Sequence, residues 1–77
     1  MLAALYAMSA VAAPGAPPAS IRACPSSHPV KGNRTTYDGS PCIAHRPDGR
    51  SYAKTHPERC YATMADAVAD GCRPVLR

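Results

Sequence analysis

The residues best suited to chemistry in this chain are four cysteines, Cys24, Cys42, Cys60 and Cys72, and three histidines, His28, His45 and His56. Three local pairs stand at metal-ligand spacing: Cys24 with His28, Cys42 with His45, and His56 with Cys60. Zn²⁺ takes four soft or imidazole donors, so a small structural zinc site drawn from Cys24, His28, Cys42, His45, His56 and Cys60 is one reading. The other is two disulfides. Four cysteines permit three connectivities, and spacing alone does not choose among them. Proline follows both His28 and His56, which marks these two as turn residues and favours the disulfide reading, with no cofactor, over zinc. Catalysis has little support. No carboxylate pair, no Ser/His/Asp series with a supporting motif and no glycine-rich phosphate loop can be drawn from these residues, so the expectation is a binding module and not an enzyme.

Charge points to what such a module would bind. Nine Lys and Arg against five Asp and Glu give a net charge of +4, and every charged side chain lies from Arg22 onward, none in the first twenty residues. A small domain with that balance attracts polyanions, either nucleic acid or an anionic cell-envelope polymer. The candidate contacts are Lys31, Arg34, Arg46, Arg50, Lys54, Arg73 and Arg77. They matter most if the fold gathers Arg46, Arg50 and Lys54 with Arg73 and Arg77 on one face, where phosphate contacts give salt-dependent, sequence-independent affinity. Otherwise the charge serves solubility, and the domain is a disulfide-stapled module with a protein partner. Tyr37, Tyr52 and Tyr61 are stacking surfaces in the first case and core in the second.

The elements that must hold these residues are few. Met1 to Ala13 form an uncharged apolar run closing on Ala10-Val11-Ala12, the small-x-small pattern of a signal-peptide cleavage site, although no basic residue precedes it. Such a run is too short to span a bilayer, so the expectation is a secreted or cell-envelope protein, monomeric and without a membrane span in its mature form. Residues 14–21, rich in Pro and Ala, read as a linker, and residues 22–77 as one domain. Its large apolar side chains are Ile21, Val30, Ile43, Met64, Val68, Val75 and Leu76, a core too small to stand without a covalent or metal staple. Residues 30–33 and 37–41 read as turns. Arg46-Pro47-Asp48-Gly49 carries the strongest turn signal and would join residues 42–45 to residues 50–53 in a hairpin. Thr55-His56-Pro57-Glu58 matches a capping box and predicts one helical turn, and Cys60-Tyr61-Ala62 reads as a third strand. Thr63 and Asp66 then cap a helix over residues 64–70, stopped at Gly71, with Met64, Ala67, Val68 and Cys72 facing inward. The expected class is α+β: a small, loop-rich, three-stranded β-meander with one short C-terminal helix.

Four blocks in order, His28-Pro29-Val30-Lys31-Gly32-Asn33, Ile43-Ala44-His45-Arg46-Pro47-Asp48-Gly49-Arg50-Ser51-Tyr52, Thr55-His56-Pro57-Glu58-Arg59-Cys60-Tyr61-Ala62-Thr63 and Ala67-Val68-Ala69-Asp70-Gly71-Cys72-Arg73-Pro74, resemble the bacterial sunset domain. The resemblance covers most of residues 24–76. That family is itself similar to the Ada-type metal-binding domain and to modules appended to secreted nucleases, which implies an accessory module touching nucleic acid or an envelope polymer. The Ada-like modules carry cysteines at the hairpin turn and the extreme C-terminus, where this chain has Gly49 and Leu76-Arg77, so their four-thiolate zinc site does not carry over. Ala44 stands where the family has an aromatic, and Cys72 where it has Tyr or Phe. Cys24 and Cys60 match recurring family cysteines, whereas Cys42 and Cys72 are additions. The resemblance therefore implies the pairing 24–60 with 42–72. It also places His45 at the head of the family's hairpin turn, as a ligand-binding or turn-bonded histidine.

Overall fold

The computed structural model describes residues 15–34 and 42–75. The leader, the turn at 37–41 with Tyr37, and the terminal Leu76 and Arg77 lie outside these residues. Within them are five short strands and one helix: β1 (Gly15–Ala16), β2 (Val30–Asn33), β3 (Ile43–His45), β4 (Arg59–Tyr61), α1 (Met64–Ala69) and β5 (Arg73–Pro74). They build one mixed sheet in the order β1-β4-β2-β3-β5. All pairs are antiparallel except β3 with β5. The α+β class and the single short helix hold. The strand count is five where three were expected: three strands are gained, from two sources, and the expected one at residues 50–53 is lost.

The first is the segment 30–33, expected as a turn, which is instead the central strand. Its glycine is there for packing. A Cβ on Gly32 would stand 2.8 Å from the Tyr61 ring and 3.3 Å from the Arg59 carbonyl oxygen. Cross-strand contact of this closeness excludes any larger residue, and local turn propensity yields to it. The second source is at the termini. Gly15 and Ala16, inside the expected linker, pair with Tyr61 and Cys60, and Arg73 and Pro74 add a parallel edge strand beside Ile43 and Ala44.

The expected hairpin between residues 42–45 and 50–53 does not form. The Arg46-Pro47-Asp48-Gly49 turn does, closed by the Gly49 N–H donating to the Arg46 carbonyl at 2.8 Å. Two more turns follow it, with Tyr52 donating to Gly49 and Thr55 to Tyr52. Residues 50–54 thus coil back instead of extending, and β3 takes β2 as its antiparallel neighbour. The helical turn expected at 55–58 is also absent. The Thr55 hydroxyl donates backwards to the Ser51 carbonyl at 2.8 Å, and the Glu58 carboxylate accepts from the Arg34 N–H at 2.8 Å, so neither is available to cap.

The C-terminal helix forms as its end signals require. Thr63 is extended, and its hydroxyl accepts from the Asp66 N–H at 3.0 Å. At the other end Cys72 N–H donates to Ala67 and Gly71 N–H to Val68, with Gly71 at φ 98°, the paired bonds of a Schellman stop. Ala67 is fully buried and Met64 packs at the core's edge, but Val68 is 49% exposed and does not face inward.

Register divides the sheet into two faces. Val30, Cys42, Ala44, Tyr61 and Cys72 lie against Ala67 and Met64 in the apolar core beneath α1. Lys31, Ile43, His45 and Cys60 belong to the opposite face, which the loop of residues 46–58 covers. Ile21, counted on for the core, is 75% exposed.

Candidate functional site

The cysteines pair as Cys24–Cys60 and Cys42–Cys72, with Cα separations of 5.8 and 4.5 Å. No thiol is left free among the described residues. In this structure the cysteines of the zinc alternative drawn from Cys24, His28, Cys42, His45, His56 and Cys60 stand in sulfur–sulfur bonds, Cys24 with a cysteine of another local pair and Cys42 with Cys72, which belonged to none. The two bridges also divide the labour. Cys42–Cys72 ties β3 to the segment after α1, and Cys24–Cys60 ties the opposite face of β4 to the segment preceding β2.

On that opposite face lies a cleft of about 330 Å³. The sheet supplies Asn33, Ile43, His45 and, just past β5, Val75; the covering loop supplies Ser51, Lys54, Thr55 and His56. Strand alternation accounts for the first group. Ile43 and His45 are two apart on β3, Asn33 is the cross-strand partner of Ile43, and Val75 continues β5 along β3 with its N–H bonded to the Ala44 carbonyl at 3.0 Å.

The loop is held over the sheet by a buried lysine. Lys31, on the central strand, is 2% exposed. Its ammonium donates to the Tyr52 carbonyl at 2.7 Å and the Thr55 carbonyl at 3.0 Å, and sits 4.2 Å from the Tyr52 ring centroid. The Tyr52 hydroxyl in turn donates to the Pro29 carbonyl at 2.5 Å, and Asn33 donates to the His56 carbonyl at 2.7 Å. Bonds of this kind need the loop carbonyls aimed at the sheet, which an extended strand at 50–53 would not allow. Burial, reinforced by the nearby Arg22 cation, lowers the Lys31 pKa from its ordinary value. Lys31 is therefore a structural cation and is withdrawn from the surface set expected to meet a polyanion.

His45 is the residue the fold places most tellingly. It is 8% exposed and lines the cleft, yet its Nδ1 is buried without a hydrogen-bond partner. The turn-bonded reading would have satisfied that atom. Burial first, and then the positive charge of its cross-strand neighbour Lys31, lower the pKa of the ring below its usual value, so His45 is neutral at neutral pH. His45 thus joins a buried ring nitrogen that has no partner to a place in the cleft lining, a combination that singles it out among the described histidines. His56 is anchored differently, accepting at Nε2 from Arg22 Nε at 3.2 Å. His28 does not line the cleft, and its Nδ1 stands 2.8 Å from the Ser27 hydroxyl.

The remaining cations divide around this site. Lys54 lines it. Arg73 is the register partner of Ile43 and so shares the cleft's face of the sheet. Arg46 and Arg50 are exposed on the covering loop, Arg46 with its Nε 3.5 Å from the Asp48 carboxylate. Arg34 is exposed at the end of β2, and Arg77 lies outside the described residues. Among the described residues, no carboxylate lines the cleft. Asn33, Ser51, Thr55 and Val75 were not legible as site residues. Their only signal was position: Asn33 adjoins a glycine that reads as a turn, Ser51 sits in a segment that reads as a strand, and Thr55 reads as the cap of a helical turn.

Compared with known proteins, the chain matches no family model, no curated protein and no solved structure. Function must therefore be read from the site itself.

Proposed function

We propose that this domain is a non-catalytic accessory module, of sunset-like kind, that works outside the cytoplasm and binds a phosphate-bearing polymer through its basic cleft face. The observation that carries this reading is the cleft: Lys54, His45 and His56 line it together, and among the described residues no acidic lining group opposes an anion. Arg46, Arg50 and Arg73 extend the positive field around it, and Lys54 reaches into it. Two disulfides in so small a domain fit an oxidising compartment, where such bonds persist. That agrees with a leader in the first thirteen residues. Among the described residues no helix is long and apolar enough to cross a membrane.

The alternative, a protein-interaction module whose charge serves only solubility, predicts no affinity for a generic polyanion. Binding of a fluorescein-labelled oligothymidylate, followed by anisotropy from about 20 to about 200 mM salt, separates the two. The polyanion reading expects log affinity to fall linearly with log salt, with a slope near the number of phosphates engaged, and Lys54→Ala to weaken binding and flatten that slope by roughly one. Absence of binding at the lowest salt would remove it.

A further inference from the structure

We propose that the cleft between β3 and the covering loop is a proton-linked subsite for a phosphate monoester carried on a sugar-sized group, with His45 and Lys54 holding the phosphate. This rests on the polyanion reading and names the unit that the cleft takes.

Three features lead there. At about 330 Å³ the cleft is at the small end of ligand sites, right for one phosphorylated sugar and too small for a stretch of polymer. Its lining is divided by chemistry: Ile43 and Val75 offer an apolar wall, Ser51 and Thr55 offer hydroxyls, and Lys54 with His45 offers charge and a ring nitrogen. His45 lines the cleft with more than nine-tenths of the residue covered, and among the described residues nothing bonds to its Nδ1.

The groups facing His45 set the sign of the proton linkage. Lys31 lies across from it on β2, Lys54 and His56 face it from the loop, Arg22 is bonded to His56, and Arg73 shares its sheet face on β5. Among the described residues, the carboxylates on the covering loop are engaged elsewhere, Asp48 by Arg46 and Glu58 by the Arg34 N–H. Burial, and then the charge of Lys31, make an unliganded His45 resist protonation. A bound dianion reverses the balance: the ring takes one proton from solvent and then donates to phosphate oxygen, as a charge-assisted bond. Affinity therefore rises as pH falls, by up to roughly tenfold per unit between the free and bound pKa values of the ring. The rise ends near pH ~6, where the monoester itself takes up a proton.

The test compares tetrathymidylate bearing a 5′-phosphate with the same oligomer bearing a 5′-hydroxyl, and with ribose 5-phosphate, by calorimetry at pH ~8 and pH ~6. The expected result is binding of the 5′-phosphorylated oligomer roughly tenfold tighter at the lower pH, with proton uptake, and a weaker, pH-independent response from the 5′-hydroxyl oligomer. Ribose 5-phosphate showing the same pH response would identify a sugar phosphate alone as sufficient; a response confined to the oligomer would identify a polymer end. His45→Gln should abolish the pH dependence while retaining residual binding, and Lys54→Ala, at an exposed position of the loop, should weaken binding of the phosphorylated ligand selectively while the circular-dichroism spectrum is unchanged. By NMR, the His45 ring should titrate at higher pH in the presence of saturating 5′-phosphorylated tetrathymidylate than in its absence. Equal, pH-independent binding of the two oligomers would overturn the subsite and leave the polyanion reading standing. No binding of any probe at low salt would overturn both.

Discussion

A neutral histidine beside a buried lysine makes acid the condition to which this fold is most sensitive at the scale of single residues. The His45 pKa is lowered in the folded state by burial and by Lys31, so between the folded and unfolded values the unfolded chain binds more protons. Stability is then fully present above the unfolded value of about 6.5 and declines as pH falls through the folded one. Urea unfolding at pH ~7 and pH ~5 should show a larger loss for the wild type than for His45→Gln, and an equal loss in both would show that the ring does not carry the effect. Tyr61 supplies the opposite sign at the alkaline end. Burial, with the Asp70 carboxylate accepting from its hydroxyl at 2.6 Å, pushes its pKa up to about 12. Between about 10 and 12 the unfolded phenol ionises first, so stability falls as pH rises. What could be read at this scale from sequence was residue type. His45 stood out, and the cysteine pairing followed from a resemblance. Lys31 did not, because a lysine beside Gly-Asn looks solvated until the loop whose carbonyls it binds has been placed.

Among the elements, two glycines that look equivalent in sequence act through different physics. Gly71 ends α1 at φ 98° with open space around it, so Gly71→Ala meets only backbone strain, about 1 kcal/mol. Gly32 lies in regular strand, but a Cβ there meets the Tyr61 ring and the Arg59 carbonyl. Overpacking of that kind costs about 1–3 kcal/mol. Denaturant midpoints should therefore fall further for Gly32→Ala than for Gly71→Ala, and the reverse order would remove the close-packing account of β2. The same contrast explains which elements the sequence disclosed. The helix and the turn at residues 46–49 are specified by near neighbours, Thr63 with Asp66 and Arg46 with Gly49, and both formed. Strand β2 depends on partners ten or more residues distant and edge strands β1 and β5 on partners thirty or more, and the coil at residues 50–54 is fixed over the sheet by Lys31, so local propensity carries little information about them.

For the molecule as a whole, stability rests on a sheet one layer thick with a small apolar core on one face and a polar, lysine-pinned loop on the other. Each face has its own bridge, and the bridges interlock along the chain, spanning 36 and 30 residues. Either closure stabilises by roughly 4 kcal/mol in the chain-entropy account, comparable with the whole stability of a domain this size, and the two are not additive because their loops overlap. The bridges should not reduce together. Cys42 and Cys72 are both buried within the core, whereas Cys24 is half-buried in the segment before β2, which opens Cys24–Cys60 to thiolate attack first. Brief treatment with dilute dithiothreitol, followed by alkylation and peptide mapping, should place the first labels on Cys24 and Cys60. Labels appearing first on Cys42 and Cys72 would mean that the helical layer opens more readily than the loop layer. If the order is as expected, the intermediate keeps its core under α1 but loses the tether on the cleft side. Binding to a phosphorylated oligomer should then weaken before the circular-dichroism signal of the fold is lost, because the groups that meet the ligand depend on the loop face and the core does not.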